Sequence, residues 1–379
     1  MKAKSDIPAL GLLAKKAGYR LKVFYYLTRF RRNCPEGKLP VGLAGCGNFV
    51  KCAYLPALNS RNCPVYVSGL YSRLKEKTAL IRRMLRYENS HFDSYPDLLN
   101  SGIKGVLIAL PNHLHFQRII DALENNIDVF CEKPLVNDLK DAYALRNFVN
   151  KTKMVLMAGF NQRYTDRIIK VKELIDSGAL GRLRRVTAFH NQDIGDYILK
   201  SRWLSDSSKS GGGVLHNAGI HLVNIMLYFF GPLEYVRAEL TNKKLPVNSG
   251  EDTACCRLYF KSGVQGELFA SYINGVKSSY EHMIIEGSSG ACFTDMSSSS
   301  IKYKKYPSGS WQDLHCKRQL VADSIYNELA HFCDCVRNRK QPLTGIGDSI
   351  DTLIALEACR VSSAQKRRVS TDEISCWPR

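Results

Sequence analysis

The stretch Phe130-Cys131-Glu132-Lys133-Pro134-Leu135 constrains this chain more than any other. It closes a mostly apolar run, Ile127 to Phe130, that reads as a short buried strand. An acid, a base and a proline then stand together where the strand ends. In an open α/β sheet, ligands sit just beyond the carboxyl ends of the strands. A lysine placed there points into a cleft. Pro134 stiffens the turn, and a Lys-Pro bond is among the few that adopt cis at modest cost.

The flanking sequence repeats this layout. A strand over Leu39 to Leu43 is followed by Gly45-Cys46-Gly47-Asn48-Phe49-Val50 and a helix to about Leu58. Glycines here let the backbone approach a pyrophosphate, and the helix N-terminus faces its charge. Val50 stands where the fingerprint has its third glycine. The second strand, Val65 to Tyr71, ends in Ser72-Arg73 where an NAD-binding chain would carry an acid. A hydroxyl beside a guanidinium suits a 2′-phosphate, so NADP is expected over NAD. A further strand, Gly105 to Leu110, runs into Pro111-Asn112-His113-Leu114-His115. The two histidines lack metal partners at suitable spacing and are expected to line the nicotinamide side of the cleft. Strands alternating with helices at this spacing imply a parallel, doubly wound sheet.

The second half reads differently. Met154 to Phe160 opens it, and a helix begins at Asn161-Gln162-Arg163-Tyr164. Strands follow at 185–190, 235–240, 251–260, 264–272 and 282–286, a mostly antiparallel sheet, with closing helices over 324–336 and 348–364. His331, Cys333 and Cys335 lie on the first of these helices, where i, i+2 side chains diverge, so no metal site is expected.

Inside this half, Trp203 precedes the glycine run Gly211-Gly212-Gly213 and an apolar helix containing Asn217, His221 and Asn224. At i, i+4 and i+7 these three share a helix face. A glycine loop before an Asn-His-Asn face suggests a site rather than a satisfied core histidine.

A chain of 379 residues accommodates two domains. Apolar runs stay short of the ~18 residues of a membrane span, and the N-terminus lacks a signal-peptide pattern. The 13 cysteines, many inside apolar segments, suit reduced thiols and a cytoplasmic protein. Net charge is +19, with ten Lys/Arg against Asp6 and Glu36 in residues 1–38. No nucleic-acid motif accompanies it. Residues 1–38 read as a basic extension with one or two amphipathic helices. They are expected to pack on the body or a partner, with contact to an anionic membrane surface as the alternative.

In this order the motifs resemble the glucose–fructose oxidoreductase / inositol dehydrogenase (Gfo/Idh/MocA) family. The likeness runs from Leu39 to Val369 through Gly45-Cys46-Gly47, Pro111 to His115, Glu132-Lys133-Pro134, Gly211 to Gly213 and Asn217-x-x-x-His221. The resemblance implies a Rossmann domain, drawn here at 39–156, and a substrate-binding and oligomerisation domain with an open mixed sheet at 157–379. It implies a nicotinamide cofactor, a sugar-like substrate and a homo-oligomer, dimer or tetramer. Lys133 matches the family's lysine and His221 its catalytic histidine. Asn217 stands where inositol dehydrogenases have aspartate, as does Asn224 at its own position, so a nucleotide sugar competes with a cyclitol as substrate. The expected cofactor set is Gly45, Gly47, Asn48, Phe49, Ser72, Arg73, Pro111, Asn112, His115, Glu132 and Lys133. The substrate set is Arg163, Trp203, Asn217 and His221. His221 would take a hydroxyl proton and Lys133 would steady the oxygen. The alternatives are a non-catalytic cofactor-binding regulator and a nicotinamide-dependent glycoside hydrolase.

Overall fold

The computed structural model describes residues 36–273, 275, 280–295 and 300–375. The basic extension, up to residue 35, lies outside them, as does most of the serine run 297–300. Six short strands form the first sheet: β1 Leu39–Ala44, β2 Val65–Tyr71, β3 Ser90–Phe92, β4 Gly105–Ile108, β5 Asp128–Glu132 and β6 Leu156–Gly159. Their order is β3-β2-β1-β4-β5-β6, with every pair parallel. β4 is buried along its whole length and β5 all but its last residue, as strands covered on both faces must be. The order reverses between β1 and β4. A crevice opens there at the carboxyl ends, with the Gly45 turn on one side and Pro111 on the other. β5 is the next strand, so Lys133 stands beside that crevice.

The expected domain boundary shifts. β6 pairs with β5 from Leu156 to Gly159, so the first sheet ends after Gly159 and not at 156. Nor does the remaining chain stay in the second body. The helix Val321–Asn338 returns to the first sheet, with Ile325, Leu329 and Phe332 buried along one stripe. Phe332 packs edge-on against Phe130 at 5.9 Å.

The second sheet has nine strands: β7 Leu183–Asn191, β8 Leu233–Thr241, β9 Thr253–Phe260, β10 Gln265–Ser271, β11 Tyr280–Gly287, β12 Gly290–Asp295, β13 Ser300–Lys305, β14 Gln312–Leu314 and β15 Val369–Ser370. Its order is β14-β13-β12-β11-β7-β10-β9-β8-β15. β7 and β10 are parallel, and the other pairs are antiparallel. The helices Ile220–Phe230 and Ile346–Gln365 help cover one face, with Ser362 Oγ accepting from Ala238 N at 3.0 Å. The apolar helical stretch Ser207–Phe230 is mostly buried in this core. Cysteines among the described residues are free thiols, most of them buried.

Candidate active site

The turn after β1 is built for close approach. Gly45 has φ +107°, and a Cβ there would lie 2.2 Å from the Ala109 carbonyl oxygen, so a side chain is excluded on two counts. Around Gly47 a Cβ would meet nothing within 4 Å; that side of the turn faces open space. Asn48 and Phe49 are exposed at the helix start. Val50, in place of a third glycine, is fully buried and opens a π-turn, Val50–Tyr54. Such wide turns recur at functional sites.

Beyond β2, Ser72 Oγ accepts from Leu74 N at 3.3 Å and Arg73 is exposed. Its positive charge reaches His113, whose pKa burial, Lys209 and Arg73 all push down. On the opposite lip, Pro111 leads into Asn112, whose Nδ2 donates to the Ser210 carbonyl at 2.9 Å. That bond ties the crevice to the glycine loop of the second body.

Lys133 follows β5, and its bond to Pro134 is cis. The ammonium donates to the backbone carbonyl of Asn217 at 2.6 Å. Burial pulls the Lys133 pKa below its ordinary value, against the carboxylates of Glu132 and Glu281. Glu132 accepts from the Tyr54 hydroxyl at 2.5 Å. Burial pushes Glu132 up to about 7, although Tyr54 and Lys133 both favour its charged form. Behind it lies Glu328, fully buried, with neither carboxyl oxygen hydrogen-bonded. Burial first, then the charge of Glu132, holds it well above the carboxylate range; an unpartnered buried acid keeps its proton.

Lys133 meets the helix of the second body at an unusual point. Gly211 is left-handed at φ +85°, and a Cβ on Gly213 would lie 1.9 Å from the Glu251 carbonyl oxygen. The Glu251 carboxylate accepts from Gly213 N at 3.1 Å and Leu215 N at 2.9 Å, satisfying donors at a helix start. The chain then makes a second π-turn, Leu215–Gly219, before the α-helix Ile220–Phe230. The Asn217 carbonyl that holds Lys133 belongs to this turn.

His221 follows one turn later. Its ring sits edge-on to Phe160, with centroids 6.4 Å apart. Burial, then the positive charge of Lys133, with a smaller contribution from the neighbouring His190, drives its pKa well below 6.5. Its Nδ1 is buried without a hydrogen-bond partner. Five residues earlier, His216 is pushed down to about 4, by burial and then Lys133. A neutral imidazole beside a lysine ammonium suits proton removal from a hydroxyl whose oxygen the lysine steadies.

Several expected residues are placed elsewhere. Asn217 commits its side-chain amide to Gly212 O and Gly213 O, at 2.7 and 3.0 Å; its carbonyl, not its side chain, serves Lys133. Asn224 lies in the same α-helix as His221, Ile220–Phe230, but its side chain is claimed by structural partners rather than by the cleft. It is buried, donating to Thr352 Oγ1 at 3.1 Å. Arg163 is no arm toward the cleft. Its guanidinium is held by Asp348 at 3.0 Å, Leu343 O at 3.2 Å and Asn224 at 3.3 Å, over the Tyr228 ring. His115 does not line the cleft either. It is fully buried, with ring nitrogens 2.8 Å from Pro134 O and 2.9 Å from Leu110 O, so it braces the lysine turn from below. Glu132, expected on the cofactor, is likewise turned to Tyr54. Trp203 is half-buried, and its carbonyl accepts from Asp206 N.

Three residues that the motifs did not single out form a linked group, Gln162, His190 and Glu281, and the charge of Glu281 reaches Lys133. Their signal was faint. His190 follows Val186 and Ala188 on the buried face of β7, and a polar residue in that register is out of pattern.

The geometry agrees with comparisons to known proteins. Residues 39–160 match the oxidoreductase family with an NAD-binding Rossmann fold. Residues 168–292 match the GFO/IDH/MocA C-terminal domain. The NAD-dependent scyllo-inositol 2-dehydrogenase of Bacillus subtilis is 28% identical over 295 residues, 75% of this chain and 81% of the relative. The myo-inositol 2-dehydrogenase of Thermotoga maritima is 25% identical over 308 residues, 80% of this chain and 89% of the relative. A levoglucosan dehydrogenase solved with NADH and levoglucosan superposes with a TM-score of 0.82 at 21% identity, over 88% of this chain and 99% of that one. With the Rossmann sheet, the open mixed sheet and the lysine–histidine cleft in place, this chain belongs to the Gfo/Idh/MocA family of oxidoreductases.

Proposed function

We propose that this protein is a nicotinamide-dependent dehydrogenase that interconverts a secondary alcohol and a ketone on a sugar, nucleotide sugar or cyclitol. The observation that carries the reading is the meeting of Lys133 with the helix of His221, two groups from different bodies, through the 2.6 Å bond to Asn217 O. A regulator that only senses cofactor has no need of that pairing.

The crevice fits the cofactor: a glycine turn open at Gly47, a helix start beyond it, and no acid at Ser72-Arg73 to repel a phosphate. Gly45, Gly47, Asn48 and Phe49 would hold the pyrophosphate, Ser72 and Arg73 the adenosine ribose, and Pro111 and Asn112 the nicotinamide end. NADP is favoured over NAD by Arg73. The bound nicotinamide supplies the hydride acceptor for oxidation and the donor for reduction.

His221, neutral at working pH, takes the hydroxyl proton through Nδ1. Lys133 donates to the same oxygen and stabilises the negative charge that builds there. The Asn217 carbonyl fixes the ammonium, and Glu132 keeps a counter-charge nearby. The outward face of the second sheet stacks Phe189, His282, Tyr280 and Phe293, and we assign the expected homo-oligomer contact to it. Cofactor reduction by a panel of sugars, nucleotide sugars and cyclitols tests the activity. Tight cofactor binding with no turnover of any of them, in either direction, would favour the regulator.

A further inference from the structure

His190 is buried at the end of β7, and Glu281 faces it across the β7–β11 register. Its Nδ1 lies 3.3 Å from Glu281 Oε2. Gln162 Nε2 braces the same carboxylate, at 3.0 and 3.2 Å from its two oxygens. Burial pushes the Glu281 pKa up, but His190, Gln162 and the charge of Arg167 outweigh it, and the carboxyl stays below its ordinary value. A charged Glu281 beside Nδ1 selects the tautomer with hydrogen on Nδ1, as a carboxylate does for any histidine it orients. Nε2 is then a bare acceptor. It is buried and has no hydrogen-bond partner, and the same is true of Gln162 Oε1.

Both orphans belong to the cleft. Ala270 pairs with His190 on the neighbouring strand, and its Cβ lies 3.8 Å from where a Cβ of Gly219 would be, two residues before His221. Phe160, two residues before Gln162, is the ring packed on His221. The charge of Glu281 reaches Lys133. A buried acceptor without a donor costs free energy unless something that enters the cleft supplies one.

We propose that His190, oriented by Glu281, determines specificity: its Nε2 accepts a hydrogen from a second, non-reacting hydroxyl of the substrate. This rests on the dehydrogenase reading. It narrows the substrate to polyols that present such a hydroxyl beside the one held by Lys133 and His221. Glu281 and Gln162 are positioning residues. The bare Nε2 discriminates against an analogue that lacks the hydroxyl, whose entry leaves it unpaired.

The test uses the full chain, with NAD and NADP, against scyllo-inositol, myo-inositol and levoglucosan, followed by mono-deoxy analogues of the best substrate. In the parent, one deoxy analogue should lose about tenfold to hundredfold in kcat/KM relative to the polyol. His190→Ala should erase that preference, mainly through KM, and His190→Gln, which keeps an acceptor, should restore part of it. Glu281→Gln should weaken the preference while leaving cofactor binding unchanged. An unaltered polyol-to-deoxy ratio in His190→Ala would overturn the proposal. Nitrogen NMR of the histidine ring gives an answer that needs no turnover. The expected tautomer is Nδ1–H, with the His190 Nε2 resonance moving when scyllo-inositol, myo-inositol or levoglucosan is added. An Nε2–H tautomer, or no movement with all three, overturns it. If the parent oxidises nothing while the NMR signature holds, the dehydrogenase reading fails and the hydroxyl site stands.

Discussion

The Tyr54 hydroxyl donates to Glu132 across 2.5 Å, fastening the π-turn of the cofactor helix to the strand end that carries Lys133. The bond favours the ionised carboxyl, yet burial leaves Glu132 titrating at about 7. Tyr54→Phe removes that donor. The Glu132 midpoint should then rise by about 1–2 pH units, the value of a hydrogen bond to a charged group. Infrared titration of the carboxyl band measures it directly. A midpoint that stays near 7 would mean the bond does not set the charge.

Buried titratable groups also shape stability. Glu132 has its folded pKa raised from 4.5 to about 7. The unfolded chain releases the proton first, so stability falls as pH rises from about 4.5 to about 7. Glu132→Gln should gain stability relative to the parent at pH 8 and show little difference at pH 4. His216 acts at the other end. Its folded pKa is lowered from 6.5 to about 4, so its contribution is present above 6.5 and is lost as pH falls from 6.5 to 4. His216→Gln should flatten that decline. Urea unfolding across pH 4–8 checks both slopes.

Arg163 gives a sharp contrast between a binding and a structural role. Its side chain is 3% exposed and paired with Asp348 at 3.0 Å. Arg163→Ala leaves Asn224 Oδ1 and Leu343 O without that donor and should cost about 1–3 kcal/mol of stability. KM of the folded variant should stay within about twofold, because the guanidinium does not enter the cleft. A large rise in KM with unchanged stability would return Arg163 to the substrate.

Much of this could be read in the sequence because short-range rules govern it. The apolar runs marked β1, β2 and β4, the glycine turns marked the cofactor crevice, and Glu132-Lys133-Pro134 marked a strand end. The failures share a cause. Asn217, His221 and Asn224 were grouped on an ideal helical period, but a π-turn at Leu215–Gly219 interrupts it at Asn217, and Asn224 is taken by Arg163 and Thr352. Arg163 and His115 were assigned by their position after a strand, but tertiary partners far along the chain claimed their donors: Asp348 for one, Pro134 for the other. His190 and Glu281 were missed because nothing local announces a pair that meets only across strand register. The helix Val321–Asn338 read correctly as a helix; its return to the first sheet depends on Phe130 and Phe332 meeting, which spacing alone does not reveal.

Arg73 is exposed beyond β2 with no acid at Ser72, and we propose that it sets cofactor choice. NADPH should bind more tightly than NADH. Arg73→Ala should weaken NADPH by about 1.5–3 kcal/mol and NADH far less, since only a 2′-phosphate uses the guanidinium. Fluorescence titration of both reduced cofactors decides it; equal affinities in the parent would contradict the preference.

We propose that Lys133 and His221 act on one substrate oxygen. The most direct measurement is single-turnover reduction of bound cofactor by the best polyol of the panel, in the parent, in Lys133→Ala, in His221→Ala and in the double variant. The expected loss is ~10²–10³ for the lysine and roughly 10²–10⁴ for the histidine. The combined loss should be smaller than the product of the two. Cofactor affinity should be kept in all three variants, because neither residue forms the Gly45 turn. Parental rates in both single variants, with a substrate that the parent oxidises, would contradict it.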